Sequence, residues 1–454
     1  MIQRFLSRDR ETPMLLPPSL QDWLPQDHLA RFIVEAVEQL DLRRIEDSYE
    51  CRGNLAYPPK LLVALLVYGY ATGVFSSRKL ERACSDSVAF RFIAANQAPD
   101  HDTIAAFRKR ILPALPDIFL QVLRIAKELG MLKVGTVSVD GTKIKANASK
   151  HHALSYSYTS KLTAKLRREI AKLLKMSEAA ECDEEKNGLD IPMEITRREQ
   201  LIESIADARK KIEAMEKKRH AELQEKYDER MRKRNEHKEK TGKNLRGREP
   251  GLPDLTINPK AQVNLTDEES RIMPTAAESF VQGYNAQAGV TTEGQFIVYA
   301  DVVQDTNDKK QVKPAVDALS DLPDDLGKVE ALLGDCGYFS RENTELCEAA
   351  KITPYLAMRR DAHHTWLEAQ LAEAKETPAP DTDAVTRMAH RLQSKEGREI
   401  YGKRKSSVEP TFGIQKSVMG FRTFFLRGLE NVRAEWKLVC MAYNLKHMHA
   451  LAFG

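Results

Sequence analysis

The spacing of hydrophobic residues changes along the chain and predicts two different helical regions. In residues 18–132 apolar side chains recur at helical intervals, as Leu29, Phe32 and Ile33 do. In residues 160–243 they step by three and four through sequence that is otherwise charged. The first pattern predicts an all-helical region. The second predicts an antiparallel helical hairpin with a narrow apolar seam.

Two apolar runs lead to a carboxylate. Val134–Asp140 favours a strand with Asp140 at its exposed end and a turn at Gly141, and Val329–Leu333 favours a strand that leads to Asp335. An Asp at the end of a central strand can hold a divalent cation above a sheet, but such a residue often only caps a turn. Both interpretations stay open from these stretches alone.

Strand and helix patterns alternate in the C-terminal half. Gln282–Ala288 and Gln295–Val303 are predicted to pair as strands. Glu409 lies in a predicted helix that reaches Lys416, and Val432–Met448 is predicted to be a closing amphipathic helix. The order of elements predicts the α/β (mixed) class: a mixed sheet flanked by helices, with an N-terminal all-α region and a long helical insertion.

We therefore divide the chain into four segments. Residues 1–132 form a helical domain, residues 133–159 begin the α/β core, residues 160–250 are the charged hairpin insertion, and residues 251–454 complete the core with C-terminal helices. The first segment is compatible with a helix-turn-helix-like reader of DNA or with an ordinary helical bundle. The charged distal part of the hairpin is a DNA clamp, a dimer contact or a solvated helix.

Composition adds limits to this picture. The 454 residues carry a net charge of only +4, so local basic patches are more informative about nucleic acid than the overall charge. The six cysteines form no CxxC pair and predict free thiols in a reducing compartment. No signal peptide is expected at the N-terminus, and Leu61–Tyr70 is too short to span a bilayer. We expect a soluble, cytoplasmic protein with no membrane partner.

Three carboxylates on separate elements, Asp140, Asp335 and Glu409, could share two magnesium ions. Carboxylate oxygens suit Mg²⁺, and paired ions serve phosphodiester transfer by activating the attacking oxygen and stabilising the leaving one. Lys416 follows Glu409 by two helical turns, so the two should form one ridge. The basic residues near these acids that we expect to bind DNA are Lys143, Arg404, Lys405, Lys416 and Arg422.

Other carboxylates compete for these roles. Asp301 lies in a predicted strand, and Glu399 and Glu430 lie on or near the predicted C-terminal helices. Asp305 and Asp308 are interpreted as caps of the next helix.

Several motifs of the chain together resemble those of the DDE transposases of bacterial insertion sequences. The resemblance covers nearly the whole chain, and its strength lies in the order and spacing of short motifs. These are PDHDTIAAFRKR at residues 99–110, SVDGTKIKANAS at 138–149, FVQGYNAQ at 280–287, GDCGYFS at 334–340, VEPTFGIQK at 408–416 and the tail at 420–448. The resemblance implies a ribonuclease H-like core behind an N-terminal helical transposase domain.

By this resemblance Asp140, Asp335 and Glu409 match the acidic triad. Such families often carry Tyr, two residues, Arg, three residues, Glu, six residues and Lys. Glu409 and Lys416 fit that signature. Lys405 stands where Arg is expected, and Tyr401 lies one position too early.

The function implied by the resemblance is metal-dependent cleavage at the ends of an insertion sequence, followed by strand transfer into target DNA. Two Mg²⁺ ions, with Mn²⁺ as a substitute, are the implied cofactors. Double-stranded DNA, as terminal inverted repeats and target, is the implied partner of a homodimer or larger assembly. The alternatives are a nuclease of the same core that cuts without joining and a non-catalytic DNA-binding regulator.

Overall fold

The computed structural model describes residues 19–49, 56–180, 190–244, 249–275, 279–358 and 382–454. The chain divides into two compact units, one formed by Met1–Ile144 with Tyr284–Gly454 and the other by Lys145–Gly283. These units are defined by packing, and the four-segment division drawn from the sequence stays a prediction.

The first unit begins with helices, as the hydrophobic periodicity predicts. The longest buried stretch among them is Leu62–Ala71, where apolar residues occupy every face of α4. Pro59 suits the first position of α4 because the N–H it lacks would have no partner there, and Gly73 ends the helix at φ +84°. The helices are α1 (Leu20–Trp23), α2 (Leu29–Glu38), α3 (Arg43–Glu46), α4 (Pro59–Thr72), α5 (Ser77–Asp86), α6 (Val88–Ile93), α7 (His101–Ile111) and α8 (Leu115–Glu128).

Within the described residues, no single helix is long and apolar enough to cross a membrane, although α4 and α5, bent by 96°, pass such a test together by length and composition. Residues Leu62–Ala71 of α4 are buried inside the first unit. The described cysteines, which are Cys84, Cys336, Cys347 and Cys440, are free thiols. Cys51 and Cys182 lie outside the described residues.

A mixed sheet forms the centre of the first unit. Its strand order is β6–β5–β1–β7–β8, in which β1, β7 and β8 are parallel and β5 and β6 are antiparallel. This sheet, with its flanking helices and the N-terminal helices, confirms the predicted fold class. The strands of the chain are β1 (Thr136–Lys145), β2 (Ala153–Ser155), β3 (Gln262–Asn264), β4 (Arg271–Pro274), β5 (Phe280–Thr291), β6 (Ile297–Val303), β7 (Ala331–Gly334) and β8 (Thr353–Leu356).

The turn predicted at Gly141 is wrong, because β1 continues through this residue to Lys145. A Cβ on Gly141 would lie 2.2 Å from Nε2 of Gln287 and 2.6 Å from Oδ1 of Asp308. Glycine is therefore needed because side chains approach the backbone closely there, and not because the chain turns. Asp140 lies within a strand and not at its end.

The second unit contains the predicted helical hairpin, formed by α9 (Tyr156–Ala180) and α10 (Ile191–Thr241). Its seam is apolar and buried, and it packs on the antiparallel pair β2–β3. Helix α10 begins at Asp190, whose side chain accepts from the N–H of Met193, and ends at Gly242 with φ +68°. In the same unit β4 pairs with the first residues of β5. The buried members of the seam cluster are Leu154, Leu166, Ile205, Ala208, Ile212 and Val263.

Further helices complete the first unit. The last of them was predicted to be amphipathic, but the structure buries polar as well as apolar positions of this helix. The helices are α11 (Val312–Ser320), α12 (Arg341–Ala349), α13 (Ala384–Gln393), α14 (Lys395–Gly413) and α15 (Leu429–Phe453). The polar residue Asn444 of α15 is fully buried, and its amide exchanges hydrogen bonds with the backbone of Ile297 on β6. The polar positions of α15 thus serve contacts inside the unit, which the periodicity could not show.

Candidate active site

The central strands bring two of the three predicted carboxylates side by side. β1 and β7 are parallel, with Ser138 opposite Leu333. Asp140 and Asp335 each lie two residues beyond this pair, so the register places them next to each other. Oδ1 of Asp335 accepts a hydrogen bond at 2.8 Å from the backbone N–H of Gly337, which orients the carboxylate where the chain leaves β7.

Asp140 lies in surroundings that disfavour its charged form. Its pKa is raised from 3.8 to about 7, mainly because burial penalises the carboxylate and further because Asp335 is nearby. Two groups oppose this shift. They are the N–H of Gly141, at 2.8 Å from Oδ1, and the guanidinium of Arg404, whose Nη1 is 3.7 Å from Oδ2. The pKa of Asp140 is raised although these two groups favour its charged form, so burial is the dominant influence.

Glu409 reaches the site from α14, and Arg404 on the same helix connects it to Asp140. Nη2 of Arg404 is 3.1 Å from Oε1 of Glu409, while Nη1 faces Asp140. The Arg404 side chain is 13% exposed, against 52% for Glu409. The guanidinium is thus a largely buried counter-ion that the two carboxylates share. Arg404, and not the exposed Lys405 at the position expected from the signature, faces the acids.

Helix α14 contains a proline beside Glu409 and then changes its geometry. Pro410 has no N–H to bond the carbonyl of Ser406 four residues earlier, and that carbonyl accepts from Nε2 of Gln295 at 3.0 Å instead. A π-helical turn, Ile414–Val418, follows α14. The predicted α-helical ridge from Glu409 to Lys416 is therefore wrong, because the helix does not continue in α geometry.

The π-helical turn places Lys416 against β1. Its Nζ donates to the hydroxyl of Thr142 and lies 3.4 Å from the carbonyl oxygen of Lys143. Burial lowers the pKa of both lysines. Arg422 is exposed, and its Nε donates to the carbonyl of Lys416 at 2.9 Å. Lys143 and Lys416 thus lie near Asp140, and Arg422 contacts Lys416.

A polar network beside Asp140 was missed by the sequence analysis. Oδ1 of Asp308 accepts from Nδ2 of Asn285 at 2.6 Å and from Nε2 of Gln287 at 2.7 Å, and the hydroxyl of Tyr338 donates to Oε1 of Gln287. Asn285 and Gln287 belong to FVQGYNAQ and Tyr338 to GDCGYFS, so the motifs were visible although these roles were not. Asp308 lies outside these motifs, so the sequence did not indicate its part in the network.

The competing carboxylates have other partners or other places. Oδ1 of Asp301 is 3.0 Å from Nε of Arg433, and Oε1 of Glu430 is 2.8 Å from Nη1 of the same arginine. Glu399 is exposed on α14, ten residues before Glu409. No contact in the described residues connects these three carboxylates to Asp140.

The chemistry of the site fits divalent cations, although its carboxylates do not yet surround one position. Within the described ranges, no group of three His, Cys, Asp or Glu side chains is close enough to hold a metal ion. Glu409 instead faces Arg404. The donors are all oxygens, which Mg²⁺ prefers, and the raised pKa of Asp140 indicates a need for positive charge. Oδ1 of Asn285, fully buried beside them, has no hydrogen-bond partner among the described residues.

Comparison with known families identifies the class. The family described as Transposase domain (DUF772) matches residues 18–110, and the family described as Transposase DDE domain matches residues 240–445. The protein is therefore a transposase. Its two matched domains place it among the DDE transposases of insertion elements, as the motifs indicated. No curated protein and no solved structure matches the chain.

The second family match includes two of the three predicted acids, Asp335 and Glu409, and it begins after the strand that carries Asp140. DDE transposases generally use divalent metal ions and bind the ends of their DNA element.

Proposed function

We propose that this transposase cuts phosphodiester bonds at the ends of its insertion sequence and joins the freed ends to target DNA, with Asp140, Asp335 and Glu409 as its catalytic carboxylates. One observation carries the proposal. Asp140 on β1 and Asp335, the residue that follows the parallel strand β7, lie close enough to interact, and Glu409 is connected to Asp140 through a shared arginine. The proposed set thus combines an acid on β1, an acid just after β7 and an acid on α14, as a ribonuclease H-like core would.

The same carboxylates would hold the divalent cations, two Mg²⁺ ions for which Mn²⁺ can substitute. When bound, such cations supply Lewis-acid chemistry to the attacking and leaving oxygens of a phosphodiester. The protein contributes a carboxylate pair fixed by strand register, in which burial of Asp140 favours a bound cation over an unpaired charge. Arg404 keeps Glu409 within reach of this pair.

The basic residues beside the acids provide the DNA contacts. Lys143 and Lys416 are half-buried next to Asp140 and are suited to the phosphate that is cut, since a lysine there compensates negative charge. Arg422, which contacts Lys416, and the exposed Lys405 extend this basic surface along the DNA. Arg404, which Asp140 and Glu409 share, would be available to bind phosphate if bound divalent cations neutralised these carboxylates.

The other segments have supporting roles in this proposal. The helices of residues 1–132 recognise the terminal inverted repeats, and the hairpin of residues 160–250 contacts DNA or a second protomer. A dimer or larger assembly would hold the two ends of the element together. These roles follow from the family, whose members bind DNA ends.

The test is an assay of cleavage and joining on the DNA ends of the element itself in the presence of Mg²⁺. Wild type is compared with Glu409→Gln, which removes the charge and keeps the shape, and with Glu399→Gln, an exposed glutamate of the same helix as the matched control. We expect wild type and Glu399→Gln to cut and join, and Glu409→Gln to bind the DNA without cutting it.

Two other results would replace the proposal. If wild type cuts without joining, the protein is a nuclease of the same core. If wild type and Glu409→Gln both bind the ends and neither cuts, the protein acts as a DNA-binding regulator.

A further inference from the structure

The network around Asp308 contacts both chain segments that carry the predicted acids, β1 with Asp140 and the turn after β7 with Asp335. We infer that Asp308 is a positioning residue, which holds Asp140 and Asp335 in register through the amides of Asn285 and Gln287. This inference rests on the proposed function, since the acids it positions are the proposed catalytic ones.

Asp308 is the anchor of the network. One oxygen of its carboxylate, Oδ1, accepts hydrogen bonds from Nδ2 of Asn285 at 2.6 Å and from Nε2 of Gln287 at 2.7 Å. Asn285 and Gln287 are two residues apart on β5 and therefore point to the same face of the sheet. Both are buried, and hydrogen bonds to a carboxylate are roughly twice as strong as neutral ones. A residue from the loop after β6 thus fixes two side chains of a central strand.

The network reaches Asp140 through the next residue of β1. A Cβ on Gly141 would lie 2.2 Å from Nε2 of Gln287, 2.6 Å from Oδ1 of Asp308 and 2.8 Å from Oδ1 of Asn285. The backbone beside Asp140 therefore rests directly on all three polar groups. A shift of any of them would move the strand at the acid itself.

The network reaches Asp335 through Tyr338. The hydroxyl of this fully buried tyrosine donates to Oε1 of Gln287. The backbone N–H of Tyr338 donates to the carbonyl of Asp335 at 3.2 Å and closes the turn that follows β7. Gln287 therefore accepts a hydrogen bond from Tyr338, which lies three residues after Asp335. Its amide nitrogen lies against the backbone of Gly141, the residue after Asp140.

The side chain of Asp308 does not cap a helix, contrary to the sequence-based interpretation. Asp308 precedes the 3₁₀ turn Lys309–Gln311, but its side chain makes no capping hydrogen bond there. The turn is closed by the backbone, with the N–H of Gln311 donating to the carbonyl of Asp308 at 2.9 Å. The carboxylate is used in the network, where it also lies 3.8 Å from Nζ of Lys143 on β1.

The test compares three variants of the full-length protein. Asp308→Ala removes the anchor, and Asp308→Asn keeps an oxygen that can accept from both amides but removes the charge. Asp305→Asn is the matched control. Asp305 is exposed in the same loop, and it contacts Asn285 through its backbone carbonyl, which the substitution keeps. The readouts are Mn²⁺ binding without DNA, the affinity for end DNA and the single-turnover cleavage rate, with circular dichroism as the control for folding.

For Asp308→Ala we expect Mn²⁺ affinity to fall about tenfold, as when a residue that orients metal ligands is lost. Cleavage should slow by about 100-fold because the acids are displaced, while the affinity for end DNA stays within about twofold of wild type. Asp308→Asn should lose about threefold in Mn²⁺ affinity, since it retains the acceptor. Asp305→Asn should match wild type in each measurement.

Mn²⁺ affinity equal to wild type in a folded Asp308→Ala protein would overturn the inference. If Asp308→Ala does not fold, Asp308→Asn decides, and a value equal to that of Asp305→Asn overturns it. Wild type that binds Mn²⁺ and end DNA without cutting would refute the proposed function alone, because the Mn²⁺ comparison still tests Asp308. Wild type without affinity for Mn²⁺ would overturn both.

Discussion

Asp140 and Glu435 are both carboxylates whose pKa is raised mainly by burial, yet the protein surrounds them differently. Glu435, on α15, accepts from the hydroxyl of Tyr70 at 2.7 Å and from the N–H groups of Phe425 and Leu426 at 3.0 Å each. Among the described residues, Asp140 accepts a single hydrogen bond, from the N–H of Gly141. Its nearest cation, the guanidinium of Arg404, is 3.7 Å away.

The difference separates a structural carboxylate from one that is prepared for a ligand. A buried charge is tolerated where the fold supplies enough donors, as it does for Glu435. At Asp140 the fold brings a second acid, Asp335, where a donor would stabilise the charge. Such an arrangement costs stability and is typical of a functional site.

The largest effect is expected from removing Asp140. Asp140→Ala should reduce cleavage roughly 1,000-fold or more while end DNA still binds, because residues that act as one catalytic unit are not replaceable individually. Asp301→Asn is the control, since Asp301 is also half-buried in a strand but pairs with Arg433. A single-turnover assay measures both. Cleavage at the wild-type rate by Asp140→Ala would refute its assignment.

Removing Glu435 should destabilise the protein without involving the site. Glu435→Ala leaves the hydroxyl of Tyr70 and two backbone N–H groups without their acceptor, so the free energy of unfolding should fall by about 3 kcal/mol. Glu435→Gln keeps an acceptor oxygen and should cost less. Urea unfolding at pH 7 compares the two. A loss of under about 1 kcal/mol for the alanine variant would show that the hydrogen bonds of Glu435 contribute little.

Asp140 should make the stability of the metal-free protein depend on pH. Because its folded pKa, about 7, lies above its unfolded value of 3.8, the folded state binds more protons between these values. The free energy of unfolding therefore falls as pH rises from about 4 to 7. Asp140→Asn should remove this contribution and raise the free energy of unfolding at pH 8 by about 4 kcal/mol, with little change at pH 4.

Urea unfolding in the presence of EDTA at the two pH values gives this comparison. Glu435→Gln is the comparison variant, because hydrogen-bond donors of the protein already satisfy the carboxylate of Glu435. An Asp140→Asn protein that keeps the pH dependence of wild type would mean that another group causes it.

The smallest effect concerns the basic residues beside Asp140. Lys416→Gln should reduce the slope of log affinity for end DNA against log salt concentration by about 0.9, since one phosphate contact is lost. Lys328→Gln is the control, because Lys328 is exposed and pairs only with Asp324 in the described residues. Salt titrations by fluorescence anisotropy measure both slopes. An unchanged slope for Lys416→Gln would exclude a phosphate contact there.

Periodicity was sufficient to predict most elements of the fold. The α4 helix, the pair β5–β6 and the helical hairpin follow from local patterns of apolar residues. The interior position of α15 could not be predicted from such patterns, because polar residues such as Asn444 find their hydrogen-bond partners far away in the sequence. The π-helical turn after α14 likewise depends on where Lys416 meets β1.

The site was predictable only as far as its motifs extend. A strand does lead to Asp335 and a helix does contain Glu409, as the local patterns predicted. Gly141 was read as a turn because a sequence does not show which side chains approach a backbone. Asp308 was read as a cap for the same reason, since its partners lie on β5, about twenty residues away. Arg404 stood one position from the expected signature, and only the packing of α14 showed which basic residue faces the acids.

The most direct test of the comparison is thermal unfolding at increasing Mn²⁺ concentration, with wild type, Asp140→Asn and Glu435→Gln measured side by side. A ligand that binds only the folded state raises its melting temperature with concentration. We predict that Mn²⁺ raises the melting temperatures of wild type and Glu435→Gln by the same amount and leaves that of Asp140→Asn unchanged. Equal stabilisation of Asp140→Asn and wild type would contradict the account, because the cation would then bind without the carboxylate that the fold leaves in need of one.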